Sequence, residues 1–222
     1  MYQSIVYKEW IKTQKIIWLL LAAFLSAGFY SFLKIAGEIR LTGMVAYWEA
    51  IIQKDTALLP YFKYLPLLGG FLTAIAQYIP ELQYKRLKLT LHLPLNENRI
   101  VSVMLLYGFS VTGLLILFTL PGLLLGLSLY FPPEIVCAAF WNILPWFIAG
   151  WMTYLLTAWI CLEPLWKLRI PGAVAGICAL SLFFIDAKSG AYRPFIPYLA
   201  GCIVLAFSFS FYSVARFKEG IQ

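Results

Sequence analysis

The side chains that could carry catalysis or bind a metal are few and widely spaced. The chain has one histidine, His92, and four cysteines, Cys137, Cys161, Cys178 and Cys202. The cysteines lie in apolar stretches without CxxC or Cys/His spacing, so we expect small buried hydrophobic side chains rather than metal ligands. The sequence contains no GxxxxGK(S/T) phosphate loop, no HExxH zinc motif and no GxSxG nucleophile motif. We therefore predict that the chain is not an enzyme, has no catalytic residue and no metal site, binds no cofactor itself and cannot hydrolyse ATP alone.

The composition indicates a membrane protein. Of 222 residues, 62% are hydrophobic and only 12% are charged, and the mean hydropathy is +0.82. A soluble domain is about half apolar and about a quarter charged, so a water-soluble fold is excluded. The net charge of +7 does not indicate nucleic-acid binding, because the cations lie in twos and threes beside apolar segments, as topology signals do. We expect a lipid bilayer around the chain and no nucleic acid.

Uncharged apolar stretches predict six membrane-spanning helices, at about 20 apolar residues for each crossing. The predicted spans are 16–33, 58–79, 100–131, 135–162, 170–185 and 195–215. Pro121 is expected to kink the third span, and Pro171 is expected to open the fifth in its first turn. The last four spans contain no ionisable side chain apart from cysteine and tyrosine, which disfavours a proton-coupled transporter and an enzyme. The predicted fold is an all-α integral membrane protein, with residues 1–222 forming a single transmembrane domain.

The distribution of cations predicts the topology. With the N-terminus inside, the cytoplasmic side holds eleven Lys and Arg residues and the outer side holds six. Cytoplasmic loops carry the excess of Lys and Arg. Six spans put both termini on one side, so we predict an N-in/C-in multi-pass protein of the bacterial plasma (inner) membrane.

Two further segments are predicted to be helices outside the spans. Residues 1–15 are predicted to form an interfacial helix that turns Lys8, Lys12 and Lys15 toward lipid headgroups, with Trp10 on its apolar stripe. The alternative is that residues 1–15 are simply the polar start of the first span. On the outer side, the apolar residues between 44 and 52 recur at helical spacing, which predicts a short amphipathic helix.

Residues 81–99, between the second and third spans, are the most informative part of the sequence. They predict a short amphipathic helix from Glu81 to about Leu93, followed by an elbow and the next span. Pro94 would end the helix, because the residue before proline avoids helical angles, and Asn96 would cap the following span. The residues expected to take part in coupling to a cytoplasmic partner are Glu81, Lys85, Arg86, Lys88, Leu89, His92, Leu93, Pro94, Asn96 and Arg99.

This segment resembles the coupling segment of type-2 ATP-binding-cassette (ABC) exporter permeases. The positions that fit the family pattern are Glu81, Leu87, Leu91, Leu93, Pro94, Asn96 and Arg99. The sequence departs from it at Lys85–Arg86, where the family commonly has Gly-Thr. The stretch from Tyr7 to Lys12 is similar to the interfacial elbow helix of the same family.

The resemblance implies an export permease that contributes half of the transmembrane machinery. A second copy or a sister permease would complete the pathway, and two separate nucleotide-binding ATPase subunits would hold the ATP and Mg²⁺. In that arrangement Glu81 would bond the ATPase or pin the elbow helix. Lys85, Arg86 and Lys88 would meet the ATPase or anionic lipid, and the alternative for them is a solvated loop that obeys the positive-inside rule.

Several features of the sequence leave alternatives open. Lys63 either reaches the outer headgroups from the start of span two or faces a transport pathway. The pairs Gly122/Gly126 and Gly172/Gly176 allow close helix approach, either inside the monomer or at a dimer seam. The apolar and aromatic spans favour an apolar or amphipathic substrate. The alternatives to an exporter are a membrane scaffold or sensor that transports nothing, and a permease-like subunit in cofactor or metalloprotein maturation.

Overall fold

The computed structural model describes residues 2–54, 58–83, 97–185 and 190–218. Its helices are α1 (Tyr2–Thr42), α2 (Met44–Lys54), α3 (Leu65–Leu82), α4 (Glu97–Ser128), α5 (Pro133–Leu162), α6 (Trp166–Ser181) and α7 (Ile196–Lys218). Single 3-10 turns occur at Pro60–Phe62, Leu182–Phe184 and Arg193–Phe195. These parts of the chain contain no β-strand, and the expected all-α class is confirmed for them.

Five helical segments are long and apolar enough to cross a membrane. They are Tyr2–Thr42, Asn98–Ser128, Pro133–Leu162, Trp166–Phe184 and Arg193–Val214. The second predicted span corresponds to α3, which has 18 residues and is not among the five. The described helices are therefore compatible with a multi-pass membrane protein.

Some predicted boundaries differ from those of the structure. Helix α1 is unbroken over 41 residues, so no helix end separates residues 1–15 from the first span. The prediction that Pro171 opens a helix is wrong, because α6 begins at Trp166 and contains Pro171. The break falls earlier, at residues 163–165, where Pro164 disfavours a helical conformation at the residue before it. The amphipathic helix predicted near residues 44–52 is present as α2.

Helix α5 is at the centre of the bundle. It buries fifteen residues and packs against α3, α4, α6 and α7. It is closest to α3, where a Cβ on Gly70 would overlap the carbonyl oxygen of Gly150. A Cβ on Gly150 would in turn lie 2.8 Å from the carbonyl oxygen of Pro66. The absence of side chains at both positions lets the two backbones touch.

Candidate functional site

A cluster of charged side chains joins the start of α1 to the end of α3. It consists of Lys8, Glu9 and Lys12 on α1 and Glu81 on α3, and we call it the charge cluster. Both carboxylate side chains are buried, with exposed fractions of 0% for Glu9 and 3% for Glu81. Two buried carboxylates facing two lysines give a balanced set, which is the usual condition for burying charge.

Lys12 is the central cation of the charge cluster. Its Nζ lies 2.7 Å from Oε2 of Glu9 and 2.9 Å from Oε1 of Glu81. It also donates a 3.3 Å hydrogen bond to the carbonyl oxygen of Gln77. Three acceptors match the three donors of an ammonium group. Lys12 therefore ties α1 both to the Glu81 side chain and to the backbone of α3.

Lys8 adds a second link between the same helices. Its Nζ lies 3.1 Å from Oε1 of Glu81 and 3.6 Å from Oε1 of Glu9, and its side chain is 37% exposed. Lys8 and Lys12 lie one turn apart on α1, so they approach Glu81 from adjacent positions. Glu81 is thus held by two cations from one helix.

The two carboxyls respond differently to this environment. Both lie outside the predicted apolar spans. Burial raises the pKa of Glu9, and the nearby Lys12 and Lys8 offset this only in part. Burial would also raise the pKa of Glu81, but hydrogen bonds and charge from Lys12 and Lys8 outweigh it and hold that pKa below its usual value. No well-aligned hydrogen bond from the described residues reaches either carboxylate oxygen of Glu9. Its contact with Lys12 is therefore an ion pair, close in distance but without the alignment of a hydrogen bond.

Neutral hydrogen bonds extend from the charge cluster into the bundle. Thr13 donates to the carbonyl oxygen of Glu9 at 2.9 Å, and its Oγ1 lies 2.6 Å from the hydroxyl of Tyr107. Gln77 lies one turn before Glu81 on α3 and donates a 2.8 Å hydrogen bond to the carbonyl oxygen of Met104. These contacts connect both α1 and α3 to α4.

Tyr154 closes this network on α5. Its hydroxyl donates at 2.9 Å to Oε1 of Gln77, and the hydroxyl of Tyr78 lies 3.5 Å from it. A Cβ on Gly108 would overlap the Tyr154 hydroxyl, so the glycine makes room for the ring against α4. The amide nitrogen and the amide oxygen of Gln77 therefore both have hydrogen-bond partners, although the side chain is fully buried.

The charge cluster can hold two helices together through the attraction between its opposite charges. Within the described ranges, no three His, Cys, Asp or Glu side chains are close enough together to hold a metal ion. The charge cluster instead forms a buried ionic connection between two helices. Breaking such a pair by removing one partner leaves an uncompensated charge, which costs far more than losing an exposed pair.

The structure shows only part of the predicted coupling segment. Lys85, Arg86, Lys88, Leu89, His92, Leu93, Pro94 and Asn96 lie outside the described residues. Glu81 was expected to start a separate helix, and instead it lies in the last turn of α3. Helix α3 continues through Pro80 to Leu82, although proline at this position removes one backbone hydrogen bond of the helix. Arg99 is exposed in the first turn of α4.

The side chains of the N-terminal segment are divided between a buried stripe and an exposed face. The buried stripe is Ile5, Glu9 and Thr13, whereas Trp10 is 39% exposed and Lys15 is also exposed. Glu9 occupies the core-facing position because Lys12 compensates its charge.

Lys63 lies at the opposite end of α3 from the charge cluster. It follows the 3-10 turn Pro60–Phe62, and its Nζ lies 5.5 Å from the ring centre of its neighbour Tyr64. This position is beside an aromatic ring at the end of the bundle.

The four predicted packing glycines fall into two groups. Gly126 faces the ring of Phe32, and a Cβ on Gly172 would lie 3.3 Å from Trp159. Gly176 faces Leu156 at ordinary contact distance. These three glycines therefore pack within the monomer. Gly122 has no atom within 4 Å of an added Cβ.

The residues of the candidate site that the sequence did not single out are Glu9, Gln77 and Tyr154. Their neighbours one turn away include polar residues, Thr13 for Glu9 and Thr73 and Glu81 for Gln77, so no simple apolar stripe marks them as buried. Their partners lie between 65 and 77 residues away along the chain for the contacts Lys12–Gln77 and Tyr154–Gln77. Spacing within a single helix cannot reveal such contacts.

Comparison of the chain with protein-family models, with curated proteins and with solved structures gives no match.

Proposed function

We propose that this chain is the transmembrane subunit of an ATP-driven ABC exporter. It would work with a separate nucleotide-binding ATPase subunit and with a second copy or a sister permease. It would have six spans with both termini in the cytoplasm of a bacterium, and it would move an apolar or amphipathic substrate. The observation that carries this proposal is the charge cluster, in which Glu81 binds Lys8 and Lys12 immediately before the basic segment 84–96.

The charge cluster gives the basic segment a mechanical connection to the bundle. Segment 84–96 follows directly on α3, and the ion pairs join the end of α3 to α1. The Gly70–Gly150 contact joins α3 to α5. Packed interfaces of this kind tend to shift between discrete arrangements rather than deform continuously, so a push on the segment would move several helices together. A partner that changes shape with ATP could use this connection.

The dimensions of α3 support a sixth span. Its 18 residues rise about 27 Å, close to the ~30 Å of a hydrocarbon core. Lys63 and Tyr64 precede the helix, and Glu81 lies in its last turn. The few polar residues inside it, including Thr73 and Gln77, are hydrogen-bonded and buried. Thus the length of α3 and the burial of its polar side chains support a crossing, although it is not among the five segments that are apolar enough by hydropathy.

The test is to purify the tagged full-length chain from its native membrane and to measure Mg²⁺-dependent ATP hydrolysis in the preparation. We expect an ATPase subunit to co-purify and Glu81→Gln to lower the hydrolysis several-fold. Glu38→Gln is the matched control, because Glu38 pairs with Lys34 at 3.9 Å with both side chains about half exposed. Glu81→Asp, which keeps the charge, should retain more activity than Glu81→Gln.

Two results would contradict the proposal. A pure preparation without any ATPase, from an organism that encodes none beside this chain, would favour the scaffold or sensor alternative. ATP hydrolysis that falls equally in Glu38→Gln and Glu81→Gln would show that the charge cluster has no special part in coupling.

A further inference from the structure

Glu9 is the one member of the charge cluster that the proposed coupling does not need. Its side chain is 0% exposed, and it lies on the face of α1 that also buries Ile5 and Thr13. An acid on the core face of a helix is either protonated or compensated by opposite charge and hydrogen bonds. Which of these two states Glu9 adopts decides what the residue can do.

The negative charge of Glu9 is compensated incompletely. Nζ of Lys12 lies 2.7 Å from its Oε2, and Nζ of Lys8 lies 3.6 Å from its Oε1. Both ammonium groups also bind Oε1 of Glu81, at 2.9 Å and 3.1 Å. Among the described residues, no aligned hydrogen bond ends on either carboxylate oxygen of Glu9. Positive charge is therefore near, but the hydrogen bonds that stabilise a buried carboxylate are not made by this part of the chain.

The other ionisable groups that face Glu9 come from three helices. Glu81 on α3 repels its negative charge. Tyr78 on α3, Tyr107 on α4 and Tyr154 on α5 also lie within electrostatic range of it. Phenol groups are uncharged below about pH 10, so these three tyrosines supply no charge that would offset a second buried carboxylate beside Glu81.

These surroundings favour the protonated form of Glu9. Burial raises the pKa of Glu9, and the charge of Lys12 and Lys8 offsets only part of that rise. A protonated carboxyl carries no charge to desolvate and can donate a hydrogen bond. Both lysines then keep their contacts with Glu81, without a second carboxylate that competes for them.

The first turns of α1 depend strongly on the state of this one residue. In residues 2–13 the buried side chains are Ile5, Glu9 and Thr13, whereas Tyr7 and Ile11 are 66% and 50% exposed. One of the three buried side chains is thus an acid. An ionised Glu9 regains hydration when this segment moves away from α3, and a protonated Glu9 gains much less.

We propose that Glu9 is a proton-binding site that controls how firmly residues 2–13 are held against α3. With a proton on Glu9, the segment docks as the structure shows, and Lys8 and Lys12 bind Glu81. Loss of the proton leaves two buried carboxylates side by side, and the segment moves until Glu9 reaches water. Proton binding is a property of this chain alone and does not rest on the exporter proposal.

The sign of the pH dependence follows from the two carboxyls. The pKa of docked Glu9 lies above the ordinary 4.5, so docking weakens as the pH rises through that raised value. The pKa of docked Glu81 lies below 4.5, so its attraction for the lysines is lost only at more acidic pH. Docking is therefore firmest near pH 4.5 and weaker on both sides of it.

Proton binding is measured directly by carbon NMR of the full-length chain with isotope-labelled glutamate, in nanodiscs. The carboxyl signal that disappears in Glu9→Gln belongs to Glu9. We expect its titration midpoint above 4.5, and we expect Glu81→Gln to lower that midpoint because both lysines then pair with Glu9. A wild-type midpoint at or below 4.5 would overturn the proposal, and so would a midpoint that Glu81→Gln leaves unchanged or raises.

Docking is measured by electron paramagnetic resonance between two spin labels on the same chain. The labels are attached at Tyr7→Cys and Lys167→Cys, because both positions are exposed, with the four native cysteines changed to alanine. The range from about pH 5 to about pH 9 leaves lysine and tyrosine untitrated. We expect one narrow distance at the acidic end and a several-fold loss of that population at the alkaline end.

Two variants on the same helix isolate the contribution of Glu9. Glu9→Gln, which copies the protonated form, should keep the acidic distance at every pH. Glu38→Gln is the matched control, because Glu38 is 43% exposed, and it should respond to pH as wild type does. His92→Gln removes the histidine, which titrates near pH 6.5, and should also leave the response unchanged. If Glu9→Gln does not fold, the uncharged Glu9→Met replaces it with the same expected result.

Two distance results would overturn the proposal. One is a wild-type distance distribution that is the same at both ends of the pH range. The other is a pH response that persists in Glu9→Gln or disappears in His92→Gln. Neither measurement needs an ATPase, so a negative result leaves the exporter proposal intact, and a preparation without an ATPase leaves proton binding at Glu9 intact.

Discussion

Lys12 and Glu81 are 69 residues apart in the chain, and the lysine Nζ donates a 2.9 Å hydrogen bond to Oε1 of the glutamate. Only 12% of the lysine side chain and 3% of the glutamate side chain are exposed. This contact fixes the start of the first helix to the end of the third, directly before the basic segment 84–96.

Removing the cation should destabilise the protein strongly. Lys12→Met keeps most of the aliphatic side chain but leaves two buried carboxylates with Lys8 as their remaining described cation. We expect a loss of about 3–5 kcal/mol in the free energy of unfolding, the range typical for breaking a buried ion pair. Circular dichroism during denaturant unfolding in nanodiscs would measure it. Lys34→Met, in a half-exposed pair, should stay within error of wild type, and an equally large loss there would contradict this interpretation.

The two carboxyls of the charge cluster should give opposite pH dependences. The pKa of Glu9 is raised above the ordinary 4.5, so its ionisation opposes folding, and lowering the pH from neutrality through that pKa should stabilise the protein. The pKa of Glu81 lies below 4.5, so its stabilising contribution is complete above 4.5 and is lost as the pH falls through its folded value. We therefore expect the melting temperature to rise and then fall on acidification.

Single amide variants separate these two effects. Glu9→Gln should remove the rise, and Glu81→Gln should weaken the fall, when melting temperatures are recorded in nanodiscs across the acidic range. At neutral pH, Glu81→Gln should be the more destabilising of the two. A pH profile that is identical in both variants would show that the carboxyls do not titrate separately.

The helix crossing at Gly70 should not tolerate a side chain. Gly70→Ala would put a methyl group into the backbone of α5 at Gly150, and backbone cannot move aside as a flexible side chain can. Overpacking of this kind costs about 1–3 kcal/mol. Gly122→Ala has free space around it and should be neutral or slightly stabilising, since alanine favours helix by about 0.5–1 kcal/mol over glycine. Thermal unfolding of the two variants side by side would measure the difference, and equal melting temperatures would be inconsistent with the crossing.

Loss of the Tyr154 hydroxyl should also destabilise the bundle. Tyr154→Phe leaves Oε1 of the buried Gln77 without its 2.9 Å donor. An unsatisfied buried acceptor costs about 1–3 kcal/mol. Tyr198→Phe is the control, because Tyr198 is 73% exposed. The denaturant midpoints of the two variants give the comparison, and a similar shift in both would argue against a structural role for the Tyr154–Gln77 bond.

Several features of the fold were predictable because they depend on local composition. Long apolar stretches predict spans at 100–131 and 135–162 whatever they pack against, since the backbone of a membrane helix must satisfy its own hydrogen bonds, and the helices lie at Glu97–Ser128 and Pro133–Leu162. The periodicity of residues 44–52 predicted α2 for the same local reason. The start of α6 was not predicted correctly, because α5 ends at Leu162 just before Pro164, and α6 begins at Trp166 and continues through Pro171.

The sequence alone predicted a helical chain that is apolar enough for a membrane, with few charges in its apolar segments and a basic segment after its third helix. Only the tertiary structure decided that Glu9 is a core residue and that Glu81 binds Lys8 and Lys12. It also decided that Gly70 lies against Gly150 and that Gln77 lies between α4 and Tyr154. The physical reason is that composition and periodicity indicate only whether a segment, and which of its faces, prefers an apolar or a polar environment. Whether Glu81 or Gln77 finds its partner depends on a side chain tens of residues away, and only packing brings the two together.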